Sequence, residues 1–319
     1  MDFDAFKDTL PVVKNINVFN EVDRYGFSYL LAKRCKLEKP YKSHAAWMHG
    51  WFWGDGLPID ILWPYEFISK SPKNMPVVVN NEYQKMRLYE YGFEYVVVGG
   101  LPFAYTEHSG LKKKNKSLVF LLPHTGAPLS DVELDFIHYL ISKKNEFSEI
   151  CCCLYANIDE FKNAKIIEIC KENGINFVWG SRYDDMFSLI RMRAIFDYFD
   201  YMTTPSMGSH ILYASFCGCK VFIPDMYYMD STNMQNLSKR EIVLLDKRNV
   251  KIWYPWLIQM NESDISSMTA WAEEEIGFNH LLSSELIKNV LGWSFYGKYN
   301  AFKRVISRKY SQYFFASIL

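Results

Sequence analysis

The 319-residue chain carries no excess of either charge, with 36 Lys and Arg against 36 Asp and Glu. That balance argues against a dedicated nucleic-acid binder, which shows a basic excess over its footprint. No uninterrupted apolar run approaches about 18 residues, so no transmembrane helix is expected. The first residues, MDFDAFKDTLPVV, lack both the basic start and the apolar stretch of a secretory signal. Structural zinc needs paired Cys-x-x-Cys spacing with histidine partners, and that spacing is absent. The cysteines present are Cys35, Cys151, Cys152, Cys153, Cys170, Cys217 and Cys219. Three of them lie side by side in EICCCLY, where they read as small apolar residues of a buried strand. A cytoplasmic protein with reduced thiols is the expectation.

What is abundant points to a packed fold. The composition is 49% hydrophobic and 17% aromatic, which rules out a disordered chain. The length suggests about two domains. Residues 15–21 read as a strand, 27–35 as a short helix, and 43–60 as a loop-rich stretch dense in tryptophan. MPVVVNN (75–81) has the β-branched run of a buried strand, 82–92 the spacing of a helix ending at a glycine, and 93–103 a second strand. The polar, lysine-rich segment 106–117 reads as a linker. Beyond it strands at 117–123, 149–155, 175–180, 200–205 and 219–224 alternate with helices at 131–144, 159–174, 183–199 and 209–218. Such alternation predicts an α/β protein with doubly wound parallel sheets. The expected division is 1–110, 111–285 and a basic aromatic helical tail 286–319. Two Rossmann-like lobes then enclose a cleft at the carboxyl ends of their strands.

The glycine-rich signatures of dinucleotide and P-loop enzymes are missing, as is Gly-x-Ser-x-Gly. Three turns at strand ends remain. In LLPHTGAP, His124, Thr125 and Gly126 precede a helical segment, a setting for an anion or for a simple cap. In TTPSMGSHILYA, the residues Thr203, Thr204, Ser206, Gly208 and Ser209 form a phosphate cradle, or Ser209 merely caps the helix. In WMHGWFWGDG, Trp51 and Trp53 suit a sugar-facing wall and His49 or Asp55 a general base; an aromatic core loop is the other reading. Glu82, at a helix start, reads as a cap.

This layout resembles the GT-B glycosyltransferases, and most closely the bacterial enzymes that build capsule, lipopolysaccharide and related surface glycans. The segment TTPSMGSHILYASFCGCKVFIP is similar to their donor-binding segment, and NNEYQKMRLYEYGFEYVVVGGLPF to the close of their acceptor lobe. The resemblance implies a nucleotide-sugar donor held by His124, Thr125, Gly126, Thr204, Ser206, Gly208, Ser209 and Tyr213. Tyr213 stands where many relatives place a glutamate on the donor helix. Ser206, Ser209 and His124 resemble the turns of transferases that use cytidine-activated donors, so the lean is toward CMP-activated Kdo or nonulosonic acid, with UDP- and GDP-sugars as the other classes. The acceptor implied is a glycan or a lipid-linked glycan, with Trp51 and Trp53 at its site and His49 or Asp55 as base. No Asp-x-Asp lies at a strand end, so no metal is expected, and no cofactor. A sugar-nucleotide epimerase and a non-catalytic two-lobed sugar-binding protein are the rival readings.

From Leu286 onward the chain has Lys288, Lys298, Lys303, Arg304, Arg308 and Lys309 and no acidic residue, with aromatics interleaved. A helix of that kind suits an anionic membrane surface, or it packs across the lobes with its lysines solvated.

Overall fold

The computed structural model describes residues 1–51, 72–122, 129–156, 160–224, 255–257 and 265–316. Two all-parallel sheets organise them. The first has the order β1 (Ala46–Trp47), β2 (Val77–Val79), β3 (Val96–Val98). The second is built from β4 (Lys114–Leu121), β5 (Glu149–Leu154), β6 (Asn176–Trp179), β7 (Phe199–Thr203) and β8 (Lys220–Phe222), ordered β6-β5-β4-β7-β8. The helices are α1 (Phe3–Thr9), α2 (Phe27–Arg34), α3 (Glu82–Glu90), α4 (Asp131–Ser142), α5 (Glu160–Glu172), α6 (Ser188–Tyr198), α7 (Ser209–Phe216), α8 (Ile265–Glu275), α9 (Ser284–Leu291) and α10 (Phe295–Ala316). The expected α/β architecture with parallel sheets is what the chain adopts.

Local chemistry explains most element boundaries. The valine triplets of β2 and β3 are β-branched and continuously apolar, as parallel strands covered on both faces require. Asn81 caps α3 by accepting from the Gln84 N–H, and Gly92 ends the segment at φ +79°. Ser130 and Glu133 form a reciprocal capping box at the start of α4.

Three expectations are corrected. Residues 15–21 are not a strand; they contribute one antiparallel bridge, Asn15 to Asp185, and then turn into a 3-10 segment over Glu21–Gly26. Asn20 and Asp23 cap that turn reciprocally, and Tyr25 and Gly26 take left-handed φ values of 58° and 76°. The tryptophan-rich stretch contains β1, too short for periodicity to reveal. The lysine-rich segment is linker only as far as Lys113, since Lys114–Ser117 already belong to central strand β4: Lys114 pairs with Glu149 on β5, and Lys113 Nζ donates to the carbonyls of Phe196 and Phe199 at 2.9 Å.

Strand alternation sorts the second sheet's core. Leu118, Phe120 and Cys152 face α4 and α5, packing with Phe136, Ile137 and Ile166. Val119, Cys151 and Cys153 face the other way, into a core continuous with the first lobe through Phe103, Phe196 and Tyr213. All seven cysteines are free thiols.

The N-terminal residues pack on this second sheet. Phe6 stacks on Tyr198 with centroids 3.9 Å apart. The buried Arg191 donates to Pro11 O at 2.8 Å, to Gly180 O at 3.0 Å and to Asp185 Oδ2 at 2.5 Å. Asp185 Oδ1 in turn accepts from the Lys14 N–H at 2.8 Å. One buried ion pair therefore stitches residues 11–14 to α6.

Helix α8 spans the two sheets. Its side carries Thr269, whose hydroxyl donates to Ser215 O on α7 at 3.3 Å. Its end turns at Gly277 (φ +73°), which lies so close to the ends of β2 and β3 that an added Cβ would sit 2.1 Å from Asn80 O and 2.8 Å from Gly100 Cα.

Removing one partner of a buried ion pair strands the other, so Arg191→Met is expected to lower unfolding free energy by about 3–5 kcal/mol, measured by equilibrium denaturation. Gly277→Ala is expected to lose more than the ~1 kcal/mol of left-handed backbone strain alone, because its Cβ has no room. Gly110→Ala, at φ +82° with nothing within 4 Å, isolates the strain component; equal melting-temperature losses in the two variants would contradict the contact.

Candidate functional site

In the second sheet the chain reverses its winding between β4 and β7, the neighbouring pair from which strands run outward on either side. Ligands of open α/β sheets bind beyond the carboxyl ends at such a switch point. The residues that follow β7 are Thr204 to Gly208, leading into α7, and those that follow β4 lead toward His124. His124, Thr125 and Gly126 lie outside the described residues, as do Trp53 and Asp55.

The turn after β7 is held by its own hydroxyls. Thr203 Oγ1 donates to Phe222 O at 2.9 Å, and Thr204 is fully buried. Thr204 Oγ1 lies 3.0 Å from His210 Nε2 and accepts from the Ser206 N–H at 3.4 Å. Ser209 does not cap α7. Gly208 occupies the N-cap without a side-chain bond, and Ser209 is the first helical residue. The helix therefore opens with no side chain of its own on its first amides, which favours an incoming anion.

Ser209 is used elsewhere: its Oγ accepts from the Trp51 N–H at 2.8 Å. Tyr213, one turn on, donates from its hydroxyl to His49 O at 3.1 Å and stacks on Phe103 with centroids 4.2 Å apart. The loop after β1 and the start of α7 are thus joined directly, and the carboxyl ends of the two sheets face one another. Tyr213, which the family resemblance counted among the donor-binding residues, is buried and links the lobes. Trp51 is also buried. Its indole N–H donates to Glu275 Oε2 at 3.0 Å and its ring meets Trp271 edge-on at 5.4 Å, so it packs inward and presents no open face to a sugar. Glu275, the last of three consecutive glutamates, is a structural acceptor here. Its carbonyl also takes the Asn80 side-chain amide at 2.6 Å.

His49 sits beside this crossing with groups that sequence reasoning missed. Glu21 Oε2 lies 3.2 Å from His49 Nδ1, in ion-pair range though off hydrogen-bond alignment, and 2.8 Å from Arg24 Nε. The Tyr25 ring lies 5.8 Å from the imidazole. Tyr25 also hydrogen-bonds Tyr155, which follows β5, and burial first of all raises both phenol pKa values, so both stay neutral donors. Glu21 and His49 are 28 positions apart, and no local pattern announces their meeting. His210 had a signal, since it falls in the first turn of the helix that the hydroxyl-rich turn introduces.

A small cavity opens at the carboxyl ends of β4 and β5, lined by Leu122, Tyr155, Lys162 and Asn163 among others. Lys162 is buried there, but Glu133 Oε1 at 2.8 Å neutralises it, so it adds no net positive charge. Among the described residues no three His, Cys, Asp or Glu side chains converge to hold a metal ion.

No protein-family model matches the chain, and no curated protein matches it. Among solved structures it is similar to TarM of S. aureus, at 14% identity over 80% of this chain and 50% of that one, with a TM-score of 0.40. It is similar to S. aureus MnaA bound to UDP, at 14% identity over 86% and 81%, with a TM-score of 0.44. A third likeness is to Medicago truncatula UGT71G1 complexed with UDP-glucose, at 12% identity over 68% and 54%, with a TM-score of 0.34. The chain spans about half the length of TarM. These are distant likenesses.

Proposed function

We propose that the chain is a glycosyltransferase of GT-B type, moving a sugar from a nucleotide-activated donor to a glycan or lipid-linked acceptor of surface-polysaccharide synthesis. The observation that carries this reading is the direct joining of the β1 loop to the start of α7. It sets His49 beside the turn whose hydroxyls and open helix amides suit a phosphate. Glu21 stands opposite Nδ1 as a charged neighbour of the ring, and His49 would take the proton of an acceptor hydroxyl as general base. The freed oxygen attacks the anomeric carbon, the bond to the donor phosphate breaks, and the nucleotide leaves with that electron pair. Ser206 and the α7 amides would meet the charge that grows on the leaving phosphate. His124, Thr125 and Gly126, on the segment after β4, would complete the cradle from the other side of the switch point. Asp55, Trp53 and Trp51 remain proposals for the acceptor side, Trp51 through its loop backbone. The donor favoured is CMP-activated Kdo or nonulosonic acid, with UDP- and GDP-sugars as the competing classes.

A thermal-shift panel of CMP, UDP and GDP tests the donor site. One nucleotide is expected to stabilise the chain, and Ser206→Ala or His124→Ala to weaken its binding by about five- to tenfold, the worth of one hydrogen bond. No binding of any nucleotide sinks the reading. Binding of a free sugar without nucleotide would favour the sugar-binding protein, and donor turnover without acceptor the epimerase. Replacing the base separates chemistry from binding: His49→Asn is expected to cut transfer by about a hundredfold to ten-thousandfold while nucleotide affinity holds. Glu21→Gln should lower kcat in the same direction but less, and an unchanged kcat would remove Glu21 from the assignment.

A further inference from the structure

Helix α10 inverts the usual burial pattern. Its inner face is small at its start, with Gly297 so close to the end of α9 that a Cβ would lie 2.7 Å from Asn289 O and 3.0 Å from Gly292 Cα. Ala301, one turn on, is buried. Its outer face carries the large side chains. Phe295 is 90% exposed, Tyr299 49%, Phe302 63% and Ile306 37%, at spacings of four, three and four residues that place all four on one stripe. Soluble monomers rarely leave such a row of rings in water without a use for it.

Cations flank the stripe on both sides. Lys303 Nζ lies 5.1 Å from the Tyr299 ring centroid and Lys298 Nζ 5.2 Å from that of Tyr41, while the half-buried Arg304, on the inner side of the helix, places its guanidinium 5.4 Å from the Tyr95 centroid. Tyr41 and Tyr95 are themselves about half exposed, extending the aromatic surface onto the first lobe. Lys42 joins the group: the His44 imidazole is held below its ordinary pKa, first by burial and then by Lys42, Arg304 and Lys298. No Asp or Glu occurs between Leu286 and Leu319 to offset them.

We infer that the Phe295–Ile306 face of α10 docks in the plane of an anionic lipid surface, its rings at headgroup depth and Lys42, Lys298 and Lys303 against lipid phosphates. Positive charge around an exposed apolar stripe complements that surface. Among the described residues no helix is long and apolar enough to cross a membrane, so the helix lies on it. Docking of this kind would hold the chain where a lipid-linked acceptor is found, yet it is read without donor or acceptor, so its failure and that of the transfer reading are distinguishable.

Vesicle flotation of the full chain tests it, with vesicles of phosphatidylcholine alone and of phosphatidylcholine with an equal part of phosphatidylglycerol. Binding is expected only with phosphatidylglycerol and should weaken with added salt. It should fall by about tenfold or more in Phe295→Ser/Phe302→Ser and in Lys298→Glu/Lys303→Glu. Both double variants alter exposed positions and should keep the parental melting temperature; if one does not fold, the other decides. The inference is overturned if anionic vesicles are not bound, or if binding ignores both sets of substitutions. It is also overturned if the chain is a dimer by light scattering that the Phe295→Ser/Phe302→Ser variant dissociates, since a second copy would then cover the face.

Discussion

The close approach of Gly277 to Asn80 and Gly100 is the constraint on which the arrangement of the lobes depends. Backbone meets backbone there with no room for a side-chain carbon on either glycine. The Leu101 N–H bonds Ile276 O at 2.8 Å and the Asn80 amide bonds Glu275 O at 2.6 Å, so the end of α8 is fixed onto the first sheet. The body of the same helix lies along α7 of the second lobe. With both ends of that bridge set, the Glu275 carboxylate comes within reach of the Trp51 indole. The β1 loop then falls against Ser209 and Tyr213. Without the two glycines the rest of this chain of contacts loses its geometry.

The hydroxyls that make the crossing belong to the turn and helix proposed to hold the donor. Under that proposal, a phosphate seated at the start of α7 takes a hydrogen bond from the Ser209 O–H while the same Oγ still accepts from the Trp51 N–H. The hydroxyl is donor and acceptor at once, so neither bond displaces the other, and the open helix amides would add charge-assisted bonds to the ligand. Donor binding and the joining of the lobes would then share a few named atoms. His49 takes part because its own carbonyl is the acceptor for Tyr213. Its imidazole is held from the other side by Glu21, on a turn that Asn20 and Asp23 shape.

Legibility in the sequence followed the range of the interaction. The second sheet could be read almost element by element, because its helices and strands are set by local periodicity and by caps such as Ser130 with Glu133. The first sheet was harder: β1 pairs through only two residues, and its tryptophans read as loop. Ile16, Val18 and Phe19 favour a strand, yet the reciprocal capping of Asn20 and Asp23 turns the segment, a competition between local polar bonds and strand propensity that the polar bonds win. The hydroxyl-rich turn before α7 was visible from composition, but not that Ser209 would be engaged by Trp51. Glu21 meeting His49 was not visible at all, since its cause is the way residues 11–26 are stitched to the loop before α6 by Arg191 and Asp185.

That stitching also changes the meaning of a net charge of zero. Arg191 with Asp185 and Lys162 with Glu133 are buried pairs, and Lys114 with Glu149 is a half-buried one. Each subtracts a cation and an anion from the surface together. The neutrality of the interior is enforced locally, because an unpaired buried charge is expensive. No such rule governs the exterior. The cations of α10 have no acidic neighbours within their own stretch of sequence, and so the overall balance conceals one region of unbalanced positive charge set around exposed rings. A sum over residues treats these two situations alike; burial separates them, and only the second leaves a field that an anionic partner can feel.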